Sequence, residues 1–519
     1  MNAPWASTHT ELATKYCLAD IVLERTDRTL RKKVQNPFNP YQSALDYIEY
    51  RPPHTHPLNE LTWGACVPAS CQPRTVERLL GIMLARSHLG TAGLRANISI
   101  TEPCQAKEDP KEYDGLFYAF MSMVGVLVGV SLLCTFLNTS RENDLKADRK
   151  TTGFIKAFCM KENATDLLKM KKEGVEVFYG IKYLTICLIV LDHEIGLHNA
   201  GPTSDGLISD QIVTSSLGML ILHDDLFVDT FFFLSGFLAI TYLAGVKKLP
   251  NPLLIILKRY LRLVVALAVV VFYTSAVFPH TGSGPLWIRV KAAETGACLK
   301  NWWLNLLMLS NYVDTENICI LVSWYIPCDF HFFVVTVLLY WLYKRCPRLG
   351  LTCAGLVTIA SVVVPGLVTY MYELPAVQLF TYEGGVPQRM KYDFRFLSNP
   401  RASREFHGIY IKSHSRLAAY LVGVFSGYFF IAYKDRIDSK TISKGWSLFG
   451  AISALILMLA VLVSGNIFLW WSYHPLEGAL YAALNRPAWA CGVALLVMCC
   501  AFGQVRKYII FLEPPDDMS

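Results

Sequence analysis

Charge is scarce in this chain. Only 17% of its 519 residues are Asp, Glu, Lys or Arg, against ~25% in an average soluble domain. Apolar residues make up 53%. One buried core cannot absorb that much apolar surface, so composition excludes a soluble globular protein. It points to several membrane helices joined by polar loops. Other features are missing too. There is no zinc-ribbon spacing, no internal repeat and no low-complexity tract. Residues 1–16 (MNAPWASTHTELATKY) hold no apolar stretch of the kind a secretory signal needs. A lumenal N-terminal domain normally requires one. Either the first apolar span carries over what precedes it, or the natural start lies upstream, and the second is the expectation.

What is present is a series of apolar runs near the ~20 residues that a bilayer requires. They fall near 115–137, 179–198, 225–245, 261–279, 323–343, 349–370, 413–433, 445–464 and 485–505, roughly nine spans. Lys and Arg between them alternate. The segment 138–178 holds nine, 198–224 none, and 246–260 has Lys247, Lys248, Lys258 and Arg259. Lys344, Arg345 and Arg348 form another basic turn, and 465–484 again has none. Basic loops stay in the cytoplasm. The expected layout is therefore an extracytoplasmic domain over 1–112, a first helix over 113–137 and a basic cytoplasmic loop over 138–178. A membrane domain follows over 179–511, with a tail at 512–519. The 371–412 loop, with six basic residues, departs from the alternation, but long loops obey it poorly.

Of the 15 cysteines, Cys17, Cys66, Cys71 and Cys104 precede the first span. An even set in a polar, proline-rich segment suggests disulfides in an oxidising compartment, with the pairing left open. Cys298 and Cys319 fall in one outside loop and are candidates for a further bridge. Asn97-Ile98-Ser99 is a glycosylation acceptor.

Ionisable groups inside a spanning helix are functional candidates, because lipid penalises them by a few kcal/mol. The second span holds Lys182, Asp192, His193 and Glu194. Lys182 and His193 are 11 positions apart, so they differ by only about 20° around a helix and lie roughly 16 Å apart along it. HEIGLH resembles a zinc-protease motif until counted. His193 and His198 stand at i and i+5, about 140° apart, where a zincin needs i and i+4. No metal site is expected. In the third span, Asp225 and Asp229 are i,i+4 neighbours on one face, and Ser235-Gly236 reads as a close helix contact. Asp329 and His331 begin the fifth span, with Asp329 a partner for a basic side chain or for His193. Lys258, Arg259 and Arg262, in LKRYLRL, can hold phosphates through charge-assisted hydrogen bonds. Anchoring to anionic lipid is the alternative use of the same cluster.

These segments together resemble acyltransferase family 3, in its animal nose-resistant-to-fluoxetine branch. YCLADI and WGACVPASC resemble that branch's cysteine-rich domain. GIKYLTICLIVLDH resembles the helix in which an arginine precedes the key histidine by 11 positions. VDTFFFLSGFL, RYLRL, GSGPLW, NWWLNLL, SWYIPCDFH, IYIKSHSRLAAYLVGVFSGY and ALYAALNRPAWACG follow in family order. The resemblance covers nearly the whole chain. It implies an all-α polytopic membrane protein, an acyltransferase-3-like helix bundle of roughly nine spans with a small disulfide-bonded extracytoplasmic domain. Its implied reaction moves an acyl group from cytoplasmic acyl-CoA, as co-substrate, to a hydroxyl of a lipid or small hydrophobic acceptor. His193 would be the general base, with Lys182, Asp229 and Asp329 in the catalytic constellation and Lys258, Arg259 and Arg262 holding the donor. The chain departs from the pattern at Lys182, which replaces arginine, at Asp192, which replaces glycine, and at His331, which replaces glutamine. Relative to the family both ends look short, with part of the cysteine-rich domain and the last helices expected elsewhere.

Two functions follow. The first is a membrane O-acyltransferase; the second is a non-catalytic lipid or xenobiotic transporter on the same scaffold. A receptor-like outer domain with a passive anchor does not account for buried charges across so many spans. Membrane lipids are the expected surroundings, in the plasma membrane or endoplasmic reticulum, and no nucleic-acid partner is expected. The orientation has a direct test. An epitope inserted within 138–178 is expected to resist protease in sealed vesicles whose cytoplasmic face points inward; digestion there would invert the topology.

Overall fold

The computed structural model describes residues 13–26, 59–106, 113–143, 153–169, 176–200, 215, 218, 223–246, 250–374, 377, 380–382, 390–392, 401, 406–437, 442–470 and 474–503. The tail expected at 512–519 and parts of the expected 138–178 loop lie outside them. The N-terminal part is a small sheet. Strand β1 (Thr14–Arg25) pairs antiparallel with β2 (Glu60–Pro68) on one side and β3 (Leu94–Ser99) on the other; the short β4 (Gln105–Ala106) also pairs with β1. In β1, Cys17, Ala19, Ile21 and Leu23 alternate inward, the period of two that buries one sheet face. Helix α1 (Pro73–Ala85) starts on proline, where the missing N–H costs nothing, and buries Val76, Leu80 and Leu84 at i, i+4 and i+8.

A disulfide joins Cys17 to Cys104, and another joins Cys298 to Cys319. Cys66 and Cys71, both expected as disulfide candidates, are free thiols. Cys66 sits exposed on β2, beside Ala65, which faces Cys17 across the ladder. Cys17 takes the more distant Cys104 instead. Asn97 stands exposed on β3.

The membrane part is built from α2 (Gly115–Asn143), α3 (Val177–Ala200), α4 (Asp224–Gly245), α5 (Pro252–Ala276), α6 (Pro285–Leu306), α7 (Tyr325–Arg345), α8 (Pro347–Tyr372), α9 (Ser413–Ile437), α10 (Lys444–Ser464) and α11 (Pro475–Phe502). Among the described residues, 7 helices are long and apolar enough to cross a membrane. The expectation of about nine spans is not reached by that measure. Three of the ten lie outside the set: α3, with Lys182, Asp192 and Glu194, α5, with Lys258, Arg259 and Arg262, and α6, with Arg289, Lys291, Glu294 and Lys300; α3 and α5 are the two expected as spans.

Helix α4 is the centre. It packs on α3, α7, α9 and α11. Its face toward α9 is opened by glycines. A Cβ at Gly236 would collide with the carbonyl of Tyr420, and one at Gly423 with the carbonyl of Phe233. Two backbones thus touch where larger side chains would hold them apart, the close packing that small residues allow between membrane helices. One apolar core joins α3, α4, α9, α10 and α11 through residues such as Phe178, Phe237 and Trp489. Another joins α4, α5, α7 and α9 through Phe232, Phe332 and Tyr420. Outward positions such as Phe136, Leu356 and Phe449 are exposed apolar groups, as lipid-facing surface requires.

The sheet is fastened to this bundle by Arg289 on α6. Its Nη2 donates to Asp20 Oδ2 at 2.5 Å and to Glu102 Oε2 at 3.0 Å, while Nε lies 2.7 Å from Glu102 Oε1. Asp20 and Glu102 each lie within three residues of the Cys17–Cys104 bridge. Burial pushes the Glu102 carboxyl up, and the Arg289 fork more than offsets this, so its pKa is lowered below 4.5. A depressed carboxylate stabilises the docked form above its unfolded pKa and loses that contribution as pH falls through the folded value. Docking is expected to weaken below pH 4.5. Arg289→Ala should cost about 1 kcal/mol of docking at neutral pH, given the pair's partial exposure. Hydrogen exchange over 59–106 reads both: faster exchange in Arg289→Ala at pH 7, and a smaller acid effect than in the wild type.

Candidate functional site

Helices α4, α9 and α11 bring two carboxylates and two guanidiniums together out of contact with solvent. Asp225 and Asp229 sit one turn apart on α4. Arg416, on α9, has no exposed surface. Its Nε donates to the Tyr410 carbonyl at 2.6 Å and its Nη1 to the Asp225 carbonyl at 3.2 Å; Nη1 also lies 3.5 Å from Asp229 Oδ2. Arg486, on α11, donates from Nη2 to Asp225 Oδ2 at 3.1 Å and places Nε 3.4 Å from Asp229 Oδ2. Arg416 is also stacked against the rings of Trp324 and Tyr410, at 4.6 and 4.4 Å. Four opposite charges in apolar surroundings cancel, and their hydrogen bonds offset the desolvation that would otherwise expel them.

His223, just ahead of α4, extends the network. Its Nδ1 lies 3.2 Å from Asp225 Oδ1 and its Nε2 2.8 Å from the Tyr481 hydroxyl. A carboxylate only accepts, so Nδ1 carries a proton and donates to Asp225.

Six residues past Asp229, about 9 Å along α4, a second polar cluster forms. Ser235 Oγ donates to Asp329 Oδ1 at 2.5 Å, and Arg259 Nη2 donates to Ser235 Oγ at 2.8 Å and to Asp329 Oδ2 at 2.6 Å. Arg259 also lies over the Phe333 ring at 4.4 Å. Ser235, expected as a packing residue, therefore works as a hydrogen-bond bridge from α4 to the Arg259–Asp329 pair that joins α5 to α7.

This cluster forms one wall of a cavity of about 710 Å3. Lys182 of α3 and Lys258, Arg259 and Arg262 of α5 all line it, with Leu234, Leu238, Leu254 and Phe333 supplying apolar wall. Four cations that the sequence places on two separate helices thus share one groove. His193 is not among the lining residues; it stands exposed on α3, beyond Lys182. Asp229 belongs to the buried network, while Asp329 holds Ser235 and Arg259 of the groove wall without lining the groove itself, so the two do not meet in one constellation. His331 points elsewhere: its Nδ1 lies 2.8 Å from Ser413 Oγ. No group of three or more metal-ligating side chains occurs among the described residues.

Arg416, Arg486, His223 and Tyr481 are the residues that sequence reasoning missed. Both arginines lie in apolar runs, where an ionisable residue implies a buried partner. The i,i+4 aspartates on α4 were the other half of that signal.

An acyltransferase-domain family profile matches residues 178–507. The chain is 24% identical over 487 residues to the Nose resistant to fluoxetine protein 6 of Caenorhabditis elegans, which covers 86% of this chain and 56% of the worm protein. The chain therefore spans a little over half the length of that relative. No solved structure matches it.

Removing one charge from the network should be more harmful than removing several. Asp229→Ala leaves two buried guanidiniums facing one carboxylate, and a loss of about 3–5 kcal/mol is expected. The double change Asp229→Leu with Arg486→Met restores neutrality and should recover part of it. Thermal unfolding midpoints of the purified variants in one detergent measure the difference.

Proposed function

The chain belongs to the acyltransferase 3 family, and on that premise we propose that it moves an acyl group from a cytoplasmic acyl-CoA to a hydroxyl of a lipid or small hydrophobic acceptor. The observation that carries this reading is the groove. Lys182, Lys258 and Arg262 offer positive charge to the phosphates of the donor, and the apolar wall beside them suits a thioester arm and its acyl chain. Arg259 is held by Asp329 and Ser235, so its guanidinium is oriented before any ligand arrives. Such preorganisation lowers the cost of ordering the site on binding.

In this reading His193 takes the proton of the acceptor hydroxyl as its oxygen attacks the thioester carbonyl. The new C–O bond forms, the C–S bond breaks, and the proton passes from His193 to the departing thiolate. Lys182 lies roughly 16 Å down the same helix. A donor whose phosphates rest at Lys182 thus has to extend along α3 to bring its thioester to His193. The exposure of His193 leaves room for an acceptor to approach from the membrane.

A second reading, lipid or xenobiotic uptake without chemistry, is favoured by one observation: the cationic groove and His193 are separate features of the fold. The two readings part on a single assay. With purified protein, radiolabelled acyl-CoA and a mixed lipid extract, His193→Ala is expected to abolish transfer while expression and acyl-CoA affinity stay unchanged. Lys258→Glu with Arg262→Glu should weaken acyl-CoA binding about tenfold or more, since each loses a charge-assisted contact. Full transfer by His193→Ala would remove the catalytic assignment.

A further inference from the structure

The groove shares two of its cations with the lipid-facing surface. On α5, Leu254, Lys258, Leu261, Arg262, Val265 and Val269 are all exposed. At about 100° per residue they fall within an arc of about 100°, a single stripe along the helix. Its apolar members are surface of the kind that lipid covers. Lys258 and Arg262 stand one turn apart inside that stripe, and both line the groove. Across it, the lining residues Leu238 and Tyr242 of α4 are exposed as well. The groove is therefore open sideways, toward the bilayer.

Lipid penalises a bare charge. Arg259 meets that demand with Asp329, 2.6 Å away. Its neighbours do not. Among the described residues no acidic side chain lines the groove, and the Asp329 carboxylate is taken up by Ser235 and Arg259. Lys258 and Arg262 thus share a space with Lys182 and Arg259, and none of the described lining residues offsets them. Arg262 lies ten positions from Pro252, about 15 Å along α5, so it stands within the span rather than in the cytoplasmic loop. A counter-charge reaches it most readily on a molecule that dissolves in the bilayer.

A phospholipid has that form. Its phosphate oxygens accept from the Lys258 ammonium and from the Arg262 fork, and its acyl chains lie along Leu261, Val265 and Val269. A choline next to the phosphate would meet four cations, so the charge of the groove selects a headgroup that is negative overall. We propose that an anionic phospholipid enters the groove from the bilayer, seats its phosphate between Lys258 and Arg262, and so competes with the acyl donor for the same cations. The anionic lipid content of the membrane then sets how much of the protein is open to the donor. The competition rests on the donor reading above; the lipid site itself does not.

The test uses the full chain in an uncharged detergent, immobilised for scintillation proximity, with radiolabelled dioctanoylphosphatidylglycerol as probe. Saturable binding is expected. Unlabelled probe should displace it at concentrations about tenfold or more below those needed for dioctanoylphosphatidylcholine or for glycerol phosphate. Lys258→Gln with Arg262→Gln should weaken the probe about tenfold or more without moving the thermal unfolding midpoint. Lys344→Gln with Arg348→Gln removes as much charge from another basic turn and should leave affinity within about twofold of wild type. Palmitoyl-CoA should displace the probe competitively. The proposal is overturned by absent saturable binding, by equal losses in the two double variants, or by glycerol phosphate competing as well as the lipid, which marks a site for free phosphate. Palmitoyl-CoA that binds without displacing the probe overturns the competition. Palmitoyl-CoA that does not bind, beside a probe lost in Lys258→Gln with Arg262→Gln, upholds the lipid site and removes the donor reading instead.

Discussion

The membrane domain depends on a neutral set of charges that cannot be separated. Asp225 and Asp229 come from α4, Arg416 from α9 and Arg486 from α11. Nothing in lipid drives helices together by hydrophobicity, because the tails are as apolar as leucine. Direction has to come from close backbone contact and from polar groups that have no alternative partner. Here both act on one helix pair. Glycines at 236 and 423 bring α4 and α9 into touch, and Arg416 sets their register against Asp229. Arg486 then fixes α11 against the same carboxylates, and His223 and Tyr481 close the network at the start of α4.

Once α4 is fixed, the groove follows. Ser235 is six residues along from Asp229, so its place is set by the charges behind it. Through Ser235, α4 holds the Arg259–Asp329 pair and with it the relation of α5 to α7. Lys258 and Arg262 share the helix of Arg259 and flank it. Lys182 arrives from α3, which packs on α4 through Phe178 against Phe237. The cationic groove is thus a consequence of the buried network rather than an independent feature. At the other end of α5, Arg289 and the Cys17–Cys104 bridge place the sheet domain away from it.

The sequence was legible wherever one residue carried the whole signal. Apolar runs gave most of the helices to within a few residues, but they placed the starts of α5 and α11 about ten residues late and did not reveal α6. Pairings were harder. Cys17 and Cys104 are 87 positions apart, and nothing along the chain distinguishes that bridge from one to Cys66 or Cys71. Arg486 lies 261 positions from Asp225. Each residue announces a need for a partner, but only the packed bundle says which partner it finds. Ser235 misled for a related reason. A serine beside a glycine in a span reads as a packing contact, and its hydroxyl becomes a bridge only because an arginine and an aspartate reach it from two other helices. The sheet was also not expected, since short strands separated by long loops leave little periodicity to read.

In the proposed function the groove between α3, α4 and α5 receives the acyl-CoA donor. The most direct measurement of this is photo-crosslinking with an acyl-CoA that carries a photoreactive group on its nucleotide, followed by peptide mapping. Labelling is expected to concentrate in the peptides around Lys182 and around Lys258–Arg262 and to be abolished by excess unlabelled acyl-CoA. Competable labelling confined to other segments, or none at all in folded protein, would contradict it.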